Sequence, residues 1–361
     1  MTTDLQVRRD DLAVTRLAQG PPLEPGPGQV LLRVDAFGLT ANNITYARLG
    51  ERLRYWDFFP AAGAWGRVPA WGYAEVLAAR EADVPPGARV FGFVPMGTHL
   101  LATVNRGDGA GFTDRSAHRA GLPAAYNHYT YAGTDPVRDA TAEALRLTVW
   151  PLFLTSYLLA DLLAEHGRFG ATRILLSSAS SRTAAGLAFL LAAHRPGIEV
   201  IGLTSPANLP YTTSLGVYDQ VLDYAGATRL PEADTAYVDF AGDSAITAAV
   251  HHHHGDRLRA SIRVGHTHGA APAGALPGPP PRPFLSPERI RERARTWGLH
   301  ELLARIEGAW QDFRPAAATW FPVVHHTGLE AARRAYLDTL AGRTPPGAGH
   351  VLALRPPADR P

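Results

Sequence analysis

The chain has 361 residues, no cysteine and no lysine; its 35 basic residues are all arginine. Without a thiol there is no disulfide, no thiolate nucleophile and no cysteine-held zinc. Without lysine there is no Schiff-base chemistry, no pyridoxal phosphate attachment and no P-loop lysine. Abundant Ala, Arg, Gly and Pro accompany the missing lysine, a pattern that GC-rich coding produces, so that absence carries no functional message. Long apolar runs are also lacking. The longest, Leu147–Ala160, is too short to span a bilayer and is stopped by Asp161. Met1–Asp11 is polar and charged, unlike a signal peptide, so a cytoplasmic protein without membrane association is expected. Nor does one charge sign dominate. Net charge is +2 and the basic residues are scattered, which gives no footprint for nucleic acid. At 46% hydrophobic content the chain can build two cores.

The most informative stretch present is Arg173–Tyr224. It opens with the apolar run Arg173–Ile174–Leu175–Leu176, turns through Ser177–Ser178–Ala179–Ser180–Ser181–Arg182–Thr183, and continues as the helix-like Ala184–Ala193. A second short strand, Glu199–Leu203, follows. Strand, small-residue turn, helix and strand open a βαβ unit, and a dinucleotide pyrophosphate usually sits at its first turn. Free N–H groups at a helix N-terminus are needed there, together with a close backbone approach. Glycine normally meets that need; this chain uses serine and threonine.

The rest of the segment, Ser214–Leu215–Gly216 with Val221–Leu222–Asp223–Tyr224, resembles the medium-chain dehydrogenase/reductase superfamily, whose second helix commonly ends Leu-Gly-Ala and whose third strand reads Val-Ile-x-Tyr. Gly28–Val34 and Gly38–Asn43 resemble the first strands of that family's catalytic domain, and Pro85–Gly92 its Pro-Gly-Asp-Arg-Val turn. Val238–Gly242 and Arg263–Gly265 resemble its fourth and fifth nucleotide-domain strands. Ser177–Ala184 and Leu53–Pro60 are most similar to a divergent bacterial branch without an assigned substrate, zinc-free and quinone/enoyl reductase-like. The resemblance implies an α/β fold with a GroES-like β domain and a Rossmann domain with a doubly wound parallel sheet. The expected domains are residues 1–131, with 320–361 returning to them, and residues 132–319.

Local signals fill in the organisation. Met1–Thr103 reads as short strands separated by Gly/Pro punctuation, and alternation in Val30–Val34 predicts half-buried strands. Ala140–His166 is helical by apolar spacing, with Pro151 kinking or dividing it. Ala270–Pro283 reads as a loop, and Ser286–Pro287–Glu288 as a helix start with an N-cap serine. One helix or two run through Arg289–Phe313, and His350–Leu354 reads as a final strand.

Each candidate site has a bland reading beside the functional one. Ser178, Ser180, Ser181 and Thr183 can hold a pyrophosphate, or they can simply cap a helix. Arg182, at the mouth of the loop, suits a charge-assisted bond to phosphate. Thr204–Asn208 lacks the acidic residue that NAD-preferring proteins keep at the second strand end. Ser205 and Asn208 fall where NADP-using family members hold the 2′-phosphate, and Tyr224 and Gly265 complete the expected cofactor set.

His251–His254 cannot all face one metal on a helix, so a solvated helix end is expected there. His266 and His268 follow a strand at the ligand-binding end of the sheet; nicotinamide or substrate contact and simple packing both suit them. The resemblance places Asn43, Tyr46, Tyr55 and Trp56 at the substrate cleft, with a tyrosine near Tyr55 donating a proton in enoyl reductases of the superfamily. The bland alternative is an aromatic core cluster with Phe58 and Phe59. Tyr126–Asn127–His128–Tyr129 is polar-aromatic and suits a second cleft wall or a linker. The expected activity is zinc-independent, NADPH-dependent reduction of a carbonyl or activated C=C bond in a small molecule, and a homodimer is compatible with the sequence. The rival expectation is a cofactor-free relative that binds a small molecule or a partner protein.

Overall fold

The computed structural model describes residues 1–80, 82–104, 109–133, 139–192, 197–264 and 275–354. The chain divides into two compact units, Met1–Thr148 with Pro322–Pro361, and Val149–Phe321.

The first unit is built on antiparallel β-structure. Strand Gln29–Leu39 lies between Pro69–Arg80 and Gly349–Ala353, so the C-terminal strand returns to the N-terminal sheet. Alternation sets the faces: Val30, Leu32 and Val34 are buried while the residues between them are half-buried. Val323–Thr327 extends this sheet parallel to Gly349–Ala353. Helix Ala140–Thr148, expected in the second domain, packs here instead. At Gly38 an added Cβ would lie 2.3 Å from the Leu147 carbonyl oxygen, so only glycine admits the helix this close to the strand. The helical stretch is indeed divided near Pro151, which sits in the first turn of Trp150–Glu165, where its missing N–H costs nothing.

The second unit carries a six-stranded parallel sheet. Its spatial order is Gln220–Asp223, Glu199–Thr204, Arg173–Leu176, Thr235–Asp239, Leu258–Arg263, Arg282–Pro283. Numbered along the chain this is 3-2-1-4-5-6, the doubly wound order that places a ligand crevice where the strand order reverses, between Arg173–Leu176 and Thr235–Asp239. Leu175, Ile201, Leu203, Tyr237 and Val250 form the core on one face. Helix Arg182–Ala192 approaches Trp150–Glu165 closely at Gly186, where a Cβ would meet Ser156 Oγ at 2.8 Å. Helix Ser286–Trp297 begins at Ser286 itself, with Leu285 in the capping position, one residue from the expected start. Leu299–Trp320 follows as a separate helix. Among the described residues no single helix is long and apolar enough to cross a membrane.

Candidate functional site

The carboxyl ends of the first and fourth parallel strands are joined by a buried polar cluster. Ser177 Oγ donates to Asp239 Oδ1 at 2.7 Å and accepts from the N–H groups of Phe240 and Ala241 at 2.9 and 3.1 Å. Asp239 Oδ1 also accepts from the N–H groups of Ala241 and Gly242 and from the Tyr237 hydroxyl. Thr247 Oγ1 donates to Oδ2. Both Ser177 and Asp239 are buried. A carboxylate satisfied from so many sides is stable in the interior and fixes the geometry of the switch point.

Above this floor the serine-rich turn runs into helix Arg182–Ala192. Ser178 has φ 49°, the left-handed region that a glycine would occupy without strain. Tyr224 meets its backbone and side chain through hydrogen bonds that oppose the upward push of burial on the phenol. Ala179 is held by its N–H to the Leu203 carbonyl and by the Tyr218 hydroxyl, which donates to the Ala179 carbonyl at 2.8 Å. Ser180 Oγ accepts from Asn208 Nδ2 at 3.2 Å, linking the turns after the first and second strands. Ser181 caps the helix, its Oγ accepting from the Ala184 N–H. The backbone N–H groups of Ser180 and Thr183 donate no hydrogen bond among the described residues. Ser205 is half-buried and precedes the short turn Pro206–Asn208.

Arg182 does not stand at the mouth of the loop. It is buried, its guanidinium 5.5 Å from the centre of the Phe321 ring. Burial lowers its pKa to about 10, and the neighbouring Tyr211 opposes that shift. Tyr211 in turn donates to the Trp320 carbonyl at 3.1 Å, at the C-terminal end of helix Leu299–Trp320. The arginine therefore lies toward the negative end of that helix dipole. An exposed phosphate clamp is replaced by a buried packing cation.

Two further expectations change. Asn43 is spent on the backbone: its Oδ1 accepts from the Thr40 N–H at 2.8 Å as a capping box, and its Nδ2 donates to the Pro69 carbonyl at 3.0 Å. His251–His254 ends a helix, but two of the four turn inward. His251 and His254, three residues apart on one face, are buried, whereas the sequence suggested a solvated end. His251 bonds the Pro277 carbonyl and Ser261 Oγ; His254 Nε2 finds no partner among the described residues, and burial first, then His253, Arg173 and His251, lowers its pKa to about 4. Among the described residues no group of three or more His, Cys, Asp or Glu is placed to hold a metal. Gly265, His266 and His268 lie outside the described residues.

In the first unit Tyr46 and Tyr55 come together, their ring centroids 4.5 Å apart. Tyr126, from the polar-aromatic run, completes the group at 6.1 Å from Tyr55. Trp71 and Phe93 pack against Tyr126 at 5.9 and 4.8 Å. Burial pushes all three phenols up, so each stays a neutral hydroxyl across the physiological range. Trp56 is buried in the core, and its ring lies where a Cβ on Gly50 or Gly66 would be. The core alternative thus holds for Trp56, Phe58 and Phe59, while Tyr55, Trp71 and Tyr126 remain half-buried. Sequence reasoning missed Asp239 as a site-builder and left Tyr126 open between a second cleft wall and a linker. Their signals were present, a carboxylate at a strand end and a tyrosine in a polar-aromatic run.

Several solved structures share this architecture. CurA from Vibrio vulnificus in complex with NADPH aligns over 95% of each chain with 15% identity and a TM-score of 0.61. A quinone oxidoreductase from Pseudomonas syringae pv. Tomato DC3000 is 18% identical, with a TM-score of 0.57 over 98% of this chain and 100% of that one. A mutant enoyl thioester reductase from Candida tropicalis is 10% identical, with a TM-score of 0.57 over 98% and 99%. The fold is that of the medium-chain dehydrogenases/reductases, a GroES-like β unit and a Rossmann unit. No curated protein matches the sequence. A family model described as "Protein of unknown function (DUF2855)" matches residues 37–345, and the chain belongs to that family.

Proposed function

We propose that the protein is a zinc-independent, NADPH-dependent reductase of a carbonyl or activated C=C bond in a small molecule. The observation that carries this reading is the doubly wound sheet whose first turn leaves the Ser180 and Thr183 N–H groups open at a helix start. The second strand ends at Thr204–Asn208 with no carboxylate to repel a 2′-phosphate. Ser178, Ser180, Ser181, Thr183, Ser205, Asn208 and Tyr224 would hold the dinucleotide; when bound, it supplies hydride. The chain's own part is to bind and orient that group and, through the neutral Tyr55 hydroxyl, to hold a proton for the developing oxyanion or enolate.

One observation favours a second reading, a cofactor-free binding protein. The loop hydroxyls already have internal partners: Ser178 with Tyr224, Ser180 with Asn208 and Ser181 with the helix. A thermal-shift titration separates the two. NADPH at about 100 times its dissociation constant stabilises by about 2.7 kcal/mol if it binds only the folded chain. Saturating NADPH that leaves both the melting temperature and nicotinamide fluorescence unchanged sinks the reductase reading. Chelators should leave NADPH oxidation by enones or ketones untouched, and restoration by zinc after chelation would overturn the zinc-independent part.

A further inference from the structure

Strand Val323–Thr327 is where the chain re-enters the first unit. It lies at the edge of its sheet and, among the described residues, pairs with one strand only, Gly349–Ala353. Val324 stands opposite His350, so His326, two residues on, shares a face with that histidine. His350 is buried and His326 half-buried. His326 Nε2 lies 2.9 Å from His350 Nδ1. His350 Nε2 lies 3.3 Å from Thr344 Oγ1, which lies 3.1 Å from Thr339 Oγ1. Thr339 Oγ1 donates to the Ala335 carbonyl at 2.8 Å. These four bonds fix the protons. A carbonyl only accepts, so the Thr339 proton is spent on Ala335 and the Thr344 proton goes to Thr339. Thr344 Oγ1 then accepts from His350 Nε2–H, which leaves the lone pair of a neutral His350 on Nδ1. His326 Nε2–H donates to that lone pair. Both rings thus carry hydrogen on Nε2, and the nitrogen left to take a proton is His326 Nδ1. A proton on His350 Nδ1 would set N–H against N–H.

We propose that the His326–His350 pair is a pH-operated clasp, which holds strand Val323–Thr327 closed at neutral pH and lets it open in acid. Closed, the pair takes at most one proton; open, it takes two. Opening therefore takes up a proton, and acid favours it. Even the first proton is disfavoured, because burial, then His325 and Arg334, pull the His326 pKa down. Arg334 belongs to helix Leu329–Leu340, which packs on this strand and whose Glu330 and Asp338 pair with Arg333 and Arg343. Helix Ala140–Thr148 and strand Gln29–Leu39 lie on the other sides. There Glu143 and Asp35 bond Arg89, Arg33 bonds Glu75, and the Arg146 guanidinium lies 5.4 Å from the Phe91 ring centre. Each of these carboxylates holds an arginine rather than His326.

Amide hydrogen exchange of the full chain, read as protection factors, tests this. One extra proton, about one unit below the ordinary histidine value of 6.5, weighs about tenfold, so protection over Val323–Thr327 should fall about tenfold or more between about pH 7.5 and 5.5. His326→Gln supplies an amide that donates to neutral His350 or, turned over, accepts from its protonated form. Protection over the same residues should then hold within about twofold across that range. At neutral pH, ¹⁵N NMR should show both rings as the Nε2–H tautomer. Wild-type protection that is flat with pH overturns the proposal, and so does an equal fall in natively folded His326→Gln. An Nδ1–H tautomer at His350 overturns it too. If His326→Gln does not fold, the wild-type slope and the tautomers decide. No cofactor enters these readouts, so failure here is distinct from failure of the reductase reading.

Discussion

The Ser177 hydroxyl donates to Asp239 Oδ1 at 2.7 Å and thereby ties the ends of the first and fourth strands at the point where the sheet reverses its order. Removing the carboxylate takes the acceptor from the Tyr237 hydroxyl and the Gly242 N–H, whereas Thr247 keeps its bond to the Asp243 carbonyl at 2.9 Å. Each buried unsatisfied group costs about 1–3 kcal/mol, so Asp239→Ala should destabilise the chain by about 2 kcal/mol or more. Asp239→Asn keeps one acceptor oxygen and should lose less. Urea unfolding checks this order, and a wild-type midpoint for Asp239→Ala would mean that the cluster is replaced by water.

Cofactor choice follows from the second strand end. Thr204 is buried and Ser205 to Asn208 offer hydroxyl and amide groups without a carboxylate. NADPH should therefore bind more tightly than NADH in calorimetric titrations. Equal affinities, or NADH ahead, would show that the 2′-phosphate is not received at Thr204–Asn208.

Much of this was legible in the residues. The βαβ signature at Arg173–Tyr224, the final strand near His350 and the division at Pro151 all rest on local spacing and on proline chemistry. What spacing cannot give is the direction of a long side chain. Arg182 opens a helix beside a phosphate-type turn, and only tertiary packing against Phe321 and Tyr211 turns it inward. Asn43 was misread for a similar reason: a side chain within a strand-to-helix turn serves the cap first. His251 and His254 share a helical face by their spacing, but which face is buried depends on the strand beneath it.

Arg182 gives the third prediction. Its folded-state pKa is depressed by burial, so the charged form that persists below about pH 10 is a cost to folding. Replacing it with methionine keeps the length and removes that cost, and such changes are often neutral or stabilising. Arg182→Met should melt at or above the wild-type temperature and bind NADPH within about threefold of wild type, under 1 kcal/mol. A tenfold loss of NADPH affinity in a stable variant would return the guanidinium to the phosphate site.

His254 predicts a pH dependence. Its folded pKa of about 4 lies below the unfolded value of 6.5, so the unfolded chain takes up the proton first. Its contribution is fully present above pH 6.5 and is lost as pH falls from there toward 4. The half-unpartnered ring suggests a loss of about 1–2 kcal/mol over that window, discounted for partial solvent screening. His254→Leu should flatten this part of the stability profile. An identical acid slope in wild type and variant would place the responsible group elsewhere.

Tyr55 carries the last prediction, and its value lies in separating binding from chemistry. The hydroxyl belongs to the β unit, whereas the proposed dinucleotide ligands belong to the parallel-sheet unit. Tyr55→Phe keeps the ring that packs against Tyr46 and deletes only the oxygen. NADPH affinity should stay at the wild-type value, while turnover falls by roughly 10²–10⁴-fold if the phenol is the general acid. Tyr46→Phe leaves the Tyr55 hydroxyl in place and keeps the neighbouring ring, so its turnover should fall less. If Tyr55→Phe turns over at the wild-type rate, the proton must come from Tyr126 or Tyr46. If instead NADPH affinity falls with it, the phenol acts in binding, and the division of labour between the units is wrong.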